Sequence, residues 1–244
     1  MRPSEELLPE IWGAFRASLL EHQSSKCAYC EQPVTTHPPP VEHYAPKSEV
    51  RKLEQPTSRA KRPYRVAHRT GYWWLAYEWS NWCVACSKCN SNKSCFFPVV
   101  EQPHPRPAPG IAYTPLLLHP YGPEDPEDHL CYDEEGNIWS STPEGRATIA
   151  TCWLDHGDLS RQRGQTASDM LQHIQSLDAP LFRLQQADGP PEQHLIQALD
   201  FTFRVLHRLG QPDRTFAGMV RYLIREHTPL VWSDLPQWRD LLLP

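Results

Sequence analysis

Two cysteine pairs, Cys27-x-x-Cys30 and Cys86-x-x-Cys89, put four thiols at the spacing that closes a structural zinc site. Each short turn can aim two sulfurs at one ion, and two turns complete a tetrahedron. The alternative for either pair is a buried or redox-active dithiol. Between and beside them stand donors of another kind. The Glu42 carboxylate and the Asn90 amide oxygen are hard ligands, suited to Mg2+ or Mn2+ rather than to the ion that thiolates prefer. His43 follows Glu42 directly, and a neutral imidazole near a hydrated metal and a phosphodiester can take a proton from water. Adjacent strand residues point to opposite faces, so Glu42 and His43 need a local twist to serve one site.

The elements around these residues must hold them. Apolar positions at helical spacing (Leu7, Leu8, Ile11, Trp12, Phe15, Leu19, Leu20) predict an amphipathic helix over 4–23, with Ser4 as its cap. Short strands are expected near Val34 and Val41, turned at Pro38 to Pro40, and a short helix over Cys86 to Lys93. Residues 46–70 hold 8 Lys and Arg against 2 Asp and Glu without periodicity, which predicts a long basic loop. The aromatics of "GYWWLAYEWSNWCVA" read mostly as core and scaffold. Cys83, Cys95, Cys131 and Cys152 lack a partner at ligand spacing and read as small buried hydrophobes.

A proline-rich connector follows, with Pro103 to Gly110 as the expected boundary between a domain over 1–102 and one over 103–244. A hairpin turned at Glu135-Gly136-Asn137 precedes helical periodicity in 144–154, 167–186, 192–209 and 214–225, with a break expected at Asp178-Ala179-Pro180. The predicted class is therefore α+β: a small metal-bearing module and then a mostly helical domain.

Charge is divided in the same way. Residues 1–100 carry 13 Lys and Arg against 9 Asp and Glu, whereas 101–244 carry 11 against 20. The basic half can neutralise phosphates, and Lys47, Arg51, Lys52, Lys61, Arg62 and Arg65 are the candidate nucleic-acid contacts, with Tyr64 placed for stacking. The acidic half repels nucleic acid and suits a protein partner. No phosphate-binding GxxxxGK[ST] occurs. No stretch approaches the roughly 18 apolar residues of a membrane span, and "MRPSEELLPEIWGAF" has acids where a signal peptide has an apolar run. The expectation is a cytoplasmic protein with reduced thiols.

Cys-x-x-Cys, "VEHYAPKS" and "NWCVACSKCNSNKS" together resemble the motif of HNH nucleases over residues 27–98, including the step from Asn81 to Asn90. The resemblance implies a ββα-metal fold in which His43 is the general base, Glu42 and Asn90 ligate the catalytic metal, Asn81 orients the loop carrying His43, and Lys93 contacts phosphate. Three departures stand out. Asn90 replaces the last histidine and Ser94 a further one, and the insertion between Tyr44 and Asn81 is long. Over more of the chain, "LLLHPYGPEDPEDHLCYDEEGNIW" and "EGRATIATCWLDHGDLSRQR" are similar to bacterial HNH proteins of Septu-type and some retron-type anti-phage systems. That likeness implies a separate ABC-type ATPase partner. The function expected is a metal-dependent endonuclease, DNA favoured; the rivals are an RNA nuclease and a non-catalytic zinc module that binds nucleic acid or a partner.

Overall fold

The computed structural model describes residues 9–53, 64–102, 104–186 and 192–242. The chain forms two compact units, one of residues 1–130 and 139–156, the other of 131–138 and 157–244. The expected divide at 102/103 falls inside the first unit, because the proline-rich stretch is stitched to it. Val99 bridges Pro115, Val100 N–H bonds Thr114, and Thr114 donates to Glu101.

In the first unit a 3-10 turn, Trp12–Phe15, leads into helix α1, Arg16–His22. The helix expected over 4–23 is thus shorter among the described residues; Leu7 and Leu8 lie outside them. Strand β1, Val41–His43, is followed by β2, Val50–Leu53, and β3, Tyr64–His68. Strand β4, Trp82–Val84, pairs antiparallel with β1, with Glu42 opposite Cys83 and His43 opposite Trp82. Helix α2, Ser87–Lys93, follows at once and packs on α3, Pro143–Cys152. Trp12, Leu19, Trp82 and Val84 form a core that Val34 and Val41 flank. Val34 enters no strand; the partner of β1 comes from far along the chain.

The basic stretch is a hairpin where a loop was expected. Strands β2 and β3 pair from Val50–His68 to Leu53–Tyr64, with a bulge between Val50 and Arg51. Its long charged side chains hide the alternation, since their stems cover apolar surface while their heads stay wet. The hairpin leaves and rejoins the unit through a narrow neck, where Gly71 N–H donates to Ser48 O (2.8 Å) and Tyr72 N–H to Pro46 O (2.7 Å). A Cβ at Gly71 would strike the Pro46 carbonyl, so the two backbones meet only over glycine.

The second unit begins with Cys131–Tyr132 (β5), paired to Ile138–Trp139 (β6) as the turn residues predict, Gly136 taking φ 79°. Its helices are α4, Gly157–Gln185, α5, Gln193–Leu209, α6, Ala217–His227, and α7, Trp238–Leu242. Helix α4 packs on α5 and α6, burying Met170, Ile174 and Leu177 with Leu199, Phe203 and Leu206. The break expected at Pro180 does not occur. Asp178 and Ala179 face outward while the buried stripe runs on from Leu177 to Leu184, and that burial outweighs the roughly 3 kcal/mol a helical proline costs.

Candidate functional site

The four cysteines meet. Their sulfurs all lie within 4.8 Å of one another, and Cys30 Sγ is 3.8 Å from Cys86 Sγ. Ligands about 2.3 Å from a central zinc stand about 3.8 Å apart in a tetrahedron, so these thiols fit that ion. Backbone bonds shape the first pair: Cys27 N–H donates to Gln32 O (2.8 Å), Glu31 N–H to Cys27 O (3.1 Å), and Glu31 takes φ 59° to close the turn. The second pair opens α2, where the Cys86 thiol caps the helix by accepting from Cys89 N–H at 3.4 Å. Ala28 N–H on Val84 O ties the first turn to the end of β4. Hydrogen bonds from Cys27, Cys30 and Cys89 push the Cys86 thiol far down, and the same crowding, Cys27 foremost, holds Cys30 and Cys89 up. Protons therefore crowd between these sulfurs, and a divalent cation is what would let all four ionise together. Among the described residues no other cluster of metal-binding type occurs; of the four remaining cysteines Cys83 and Cys152 are buried as expected, whereas Cys95 and Cys131 are only half-buried.

His43 ends β1, buried. Its Nε2 lies 3.1 Å from the Ala76 carbonyl oxygen, which only accepts, so Nε2 carries the proton and Nδ1 holds the lone pair. The same carbonyl takes a second bond from Trp82 Nε1 (2.8 Å). Burial above all, with the Lys47 and Lys93 cations adding to it, lowers the His43 pKa to about 4 against the bond to Ala76. The ring is neutral at pH 7. Trp12 meets it edge-on at 4.7 Å.

Asn81 clasps the segment just past His43. Its Oδ1 accepts from Ala45 N–H (2.7 Å), its Nδ2 donates to Ala45 O (3.1 Å) and Leu75 O (3.0 Å), and its carbonyl accepts from Tyr44 N–H. One buried amide thereby holds both the loop after β1 and the turn that supplies Ala76.

Glu42 leaves β1 toward α2. Lys93 Nζ bonds Glu42 Oε1 at 2.5 Å and the His43 carbonyl oxygen at 2.8 Å, and the lysine side chain has no exposed surface. This corrects the phosphate-contacting role expected for Lys93: a sealed ammonium spent on two internal acceptors has nothing to offer a strand. Position in the sequence places Lys93 on the helix but does not say which way it turns. Burial raises the Glu42 carboxyl above its ordinary range, with Lys93 and then Lys47 pulling it back.

Asn90 lies one turn before Lys93 on the same face of α2, half-buried. Its side-chain amide has no hydrogen-bond partner among the described residues, and Glu42 Oε2 accepts no bond there either. A carboxylate oxygen and an amide oxygen, the donor types a hard divalent ion takes, are thus left without protein partners among the described residues.

The basic residues separate. Lys47 Nζ sits 4.7 Å over the Trp12 ring, beside His43. Arg51 is occupied by Glu49, Ser94 and the Tyr64 face, and Lys52 by Gln102. Arg65 is exposed. Lys61 and Arg62 lie outside the described residues. Two contacts escaped the sequence reading: the Ala76 carbonyl, which no side-chain motif announces, and Trp12, whose helical spacing marked it only as core.

No family model matches the chain, and no solved structure does. Among curated proteins the likeness is specific. The chain is similar to Septu protein PtuB. That protein of Bacillus mycoides strain KBAB4 is 28% identical over 215 residues, covering 81% of this chain and 68% of the relative. Septu protein PtuA of the same strain is 26% identical over 168 residues, 67% of this chain but 22% of the relative. An 81% span of this chain reaches past residue 156 wherever it begins, so the likeness to PtuB includes residues of the helical unit. No helix among the described residues is long and apolar enough to cross a membrane.

Proposed function

We propose that the chain is a metal-dependent HNH-type endonuclease, hydrolysing nucleic-acid phosphodiesters as the effector of a Septu-type anti-phage defence assembly in the cytoplasm. What carries this reading is His43: a buried imidazole held neutral, with its tautomer set by the Ala76 carbonyl so that Nδ1 is the basic atom. Nδ1 takes a proton from water as the water oxygen attacks phosphorus. The bond from phosphorus to the 3′ oxygen breaks, leaving 5′-phosphate and 3′-hydroxyl ends. A divalent Mg2+ or Mn2+ held by Glu42 and Asn90 would offset charge on the leaving oxygen. Asn81 fixes the segment after His43, Lys93 fixes Glu42, and the cysteine cluster, loaded with zinc, fixes the start of α2 from which Asn90 and Lys93 project.

The likeness to PtuB and PtuA supports the Septu assignment, and the resemblance to Septu-type systems implies an ABC-type ATPase as partner. The acidic helical unit is the surface we assign to it. DNA is the favoured substrate and RNA the alternative. The test is incubation of the protein, alone and with a co-expressed ABC-type ATPase of the Septu type, with plasmid, single-stranded DNA and tRNA under Mg2+ or Mn2+. Cleavage that disappears in His43→Ala, and in Asn90→Ala with zinc retained, supports the mechanism. Equal cleavage by His43→Ala ends it, and no cleavage under any condition favours a binding module.

A further inference from the structure

Around the core tryptophans beside His43, three further rings of the first unit are only partly covered. Phe15, Tyr77 and Trp79 are 41%, 39% and 44% exposed. They are not scattered: Phe15 packs against Trp79 at 5.9 Å, Tyr77 against Trp12 at 6.2 Å, and Trp12 against His43 at 4.7 Å. Tyr77 is pinned by its hydroxyl on Pro9 O (3.0 Å). Above Trp12 stands Lys47, whose ammonium has no hydrogen-bond or ion-pair partner among the described residues. Phe15 and Trp79 also lie against Trp82, at 5.6 and 6.0 Å, and Tyr77 against Trp12, so the three part-exposed rings, Lys47 and the neutral base are joined through two core indoles, Trp12 and Trp82. Flat rings next to an unspent positive charge complement a base attached to a phosphate. Bases inside an intact duplex are stacked on one another and cannot offer a face.

We infer that Phe15, Tyr77 and Trp79 form a stacking platform for an unpaired base whose adjoining phosphate lies at Lys47, so that the substrate is a single strand or a locally opened duplex. This rests on the nuclease reading of His43 and specifies its substrate class. The same π-face is offered by DNA and RNA, so the site reads the unpaired state rather than the sugar.

The test measures binding separately from cleavage. In a His43→Ala background without added Mg2+ or Mn2+, fluorescence anisotropy compares a labelled single strand, as DNA and as RNA, with the matching duplex. Single strands are expected to bind more tightly and to quench tryptophan emission. Trp79→Ala should weaken single-strand binding about tenfold, Trp79→Phe should restore most of it, and Phe182→Ala, a barer ring in the helical unit, should change nothing. One abasic position in the strand should cost the wild-type platform several-fold and cost Trp79→Ala nothing, a comparison insensitive to a general loss of fold. Equal duplex and single-strand affinity untouched by Trp79→Ala overturns the proposal. So does a Trp79→Ala protein that loses the ATPase while binding strands normally. If the wild type cuts duplex in a His43-dependent way and ignores Trp79→Ala, the platform falls and the nuclease stands; stacking without any cleavage has the reverse meaning.

Discussion

The two units bury different things. The helical unit closes over hydrocarbon, with Leu159, Met170, Leu199, Phe203, Leu206 and Leu223 sealed and Arg163 the buried charge among its described residues. The strand-and-cysteine unit buries Glu42, His43, Asn81 and Lys93 behind strands three residues long. Hydrocarbon burial stabilises wherever it occurs. Buried charge stabilises only when its partner is present, and removing one member leaves the other stranded. The difference separates a unit closed by apolar packing from one that gathers four thiols and a buried ion pair, groups that hold together only with their partners in place.

The sharpest way to break that contrast is to remove the staple. Cys89→Ser, or a strong chelator, should abolish zinc binding and unfold the cysteine unit, since a structural zinc contributes on the order of 10 kcal/mol. Limited proteolysis with metal analysis checks this, with cuts expected between 27 and 95 and protection kept over α4 to α6. Next in size, His43→Ala should reduce nuclease turnover by about 100- to 10,000-fold while zinc content and melting are kept.

Lys93→Met should destabilise the cysteine unit by about 3–5 kcal/mol by stranding the Glu42 carboxylate. Adding Glu42→Gln should recover a large part of that loss in denaturant titrations, the mark of a pair rather than two separate contributions. Acidification offers a smaller effect. The folded His43 pKa of about 4 lies below its ordinary 6.5, so the unfolded chain takes up the proton first as pH falls. Stability present in full above pH 6.5 is lost between there and pH 4, about 3 kcal/mol in all, and His43→Gln should remove that slope. Smallest is a change expected to help: Pro180→Ala, on the half-exposed side of α4, should raise the helical unit's stability by about 1–3 kcal/mol and leave nuclease activity alone.

How much of this was legible in the sequence varies with the range of the signal. The cysteine pairs are local and chemical, and two short spacings suffice to predict that their sulfurs meet. The short helix and the Gly136 turn are local too. Orientation is not local. Lys93 sits at the helix position expected of it, yet faces β1 because Glu42, from a strand far back in the chain, arrives beneath it. The β2–β3 hairpin was hidden because lysine and arginine alternate poorly on any polarity scale. Pro180 read as a stop because a propensity rule does not see Leu184 waiting to be buried one turn on. The tryptophan-rich stretch read as core, and part of it is; Trp79 and Tyr77 show that an aromatic run can also be spent on a surface.

Glycine at position 71 makes the hairpin a closed purse. Chain leaves the site at Ser48 and returns at Gly71 through one pair of crossed backbones, so the strings are drawn before anything beyond them is specified. Just past the neck, Arg51 N–H bonds Cys95 O (2.8 Å) and ties the hairpin's base a second time, behind α2. A foreign loop inserted after Leu53 should therefore leave His43 and Asn81 in register, with melting and zinc content unchanged as the check.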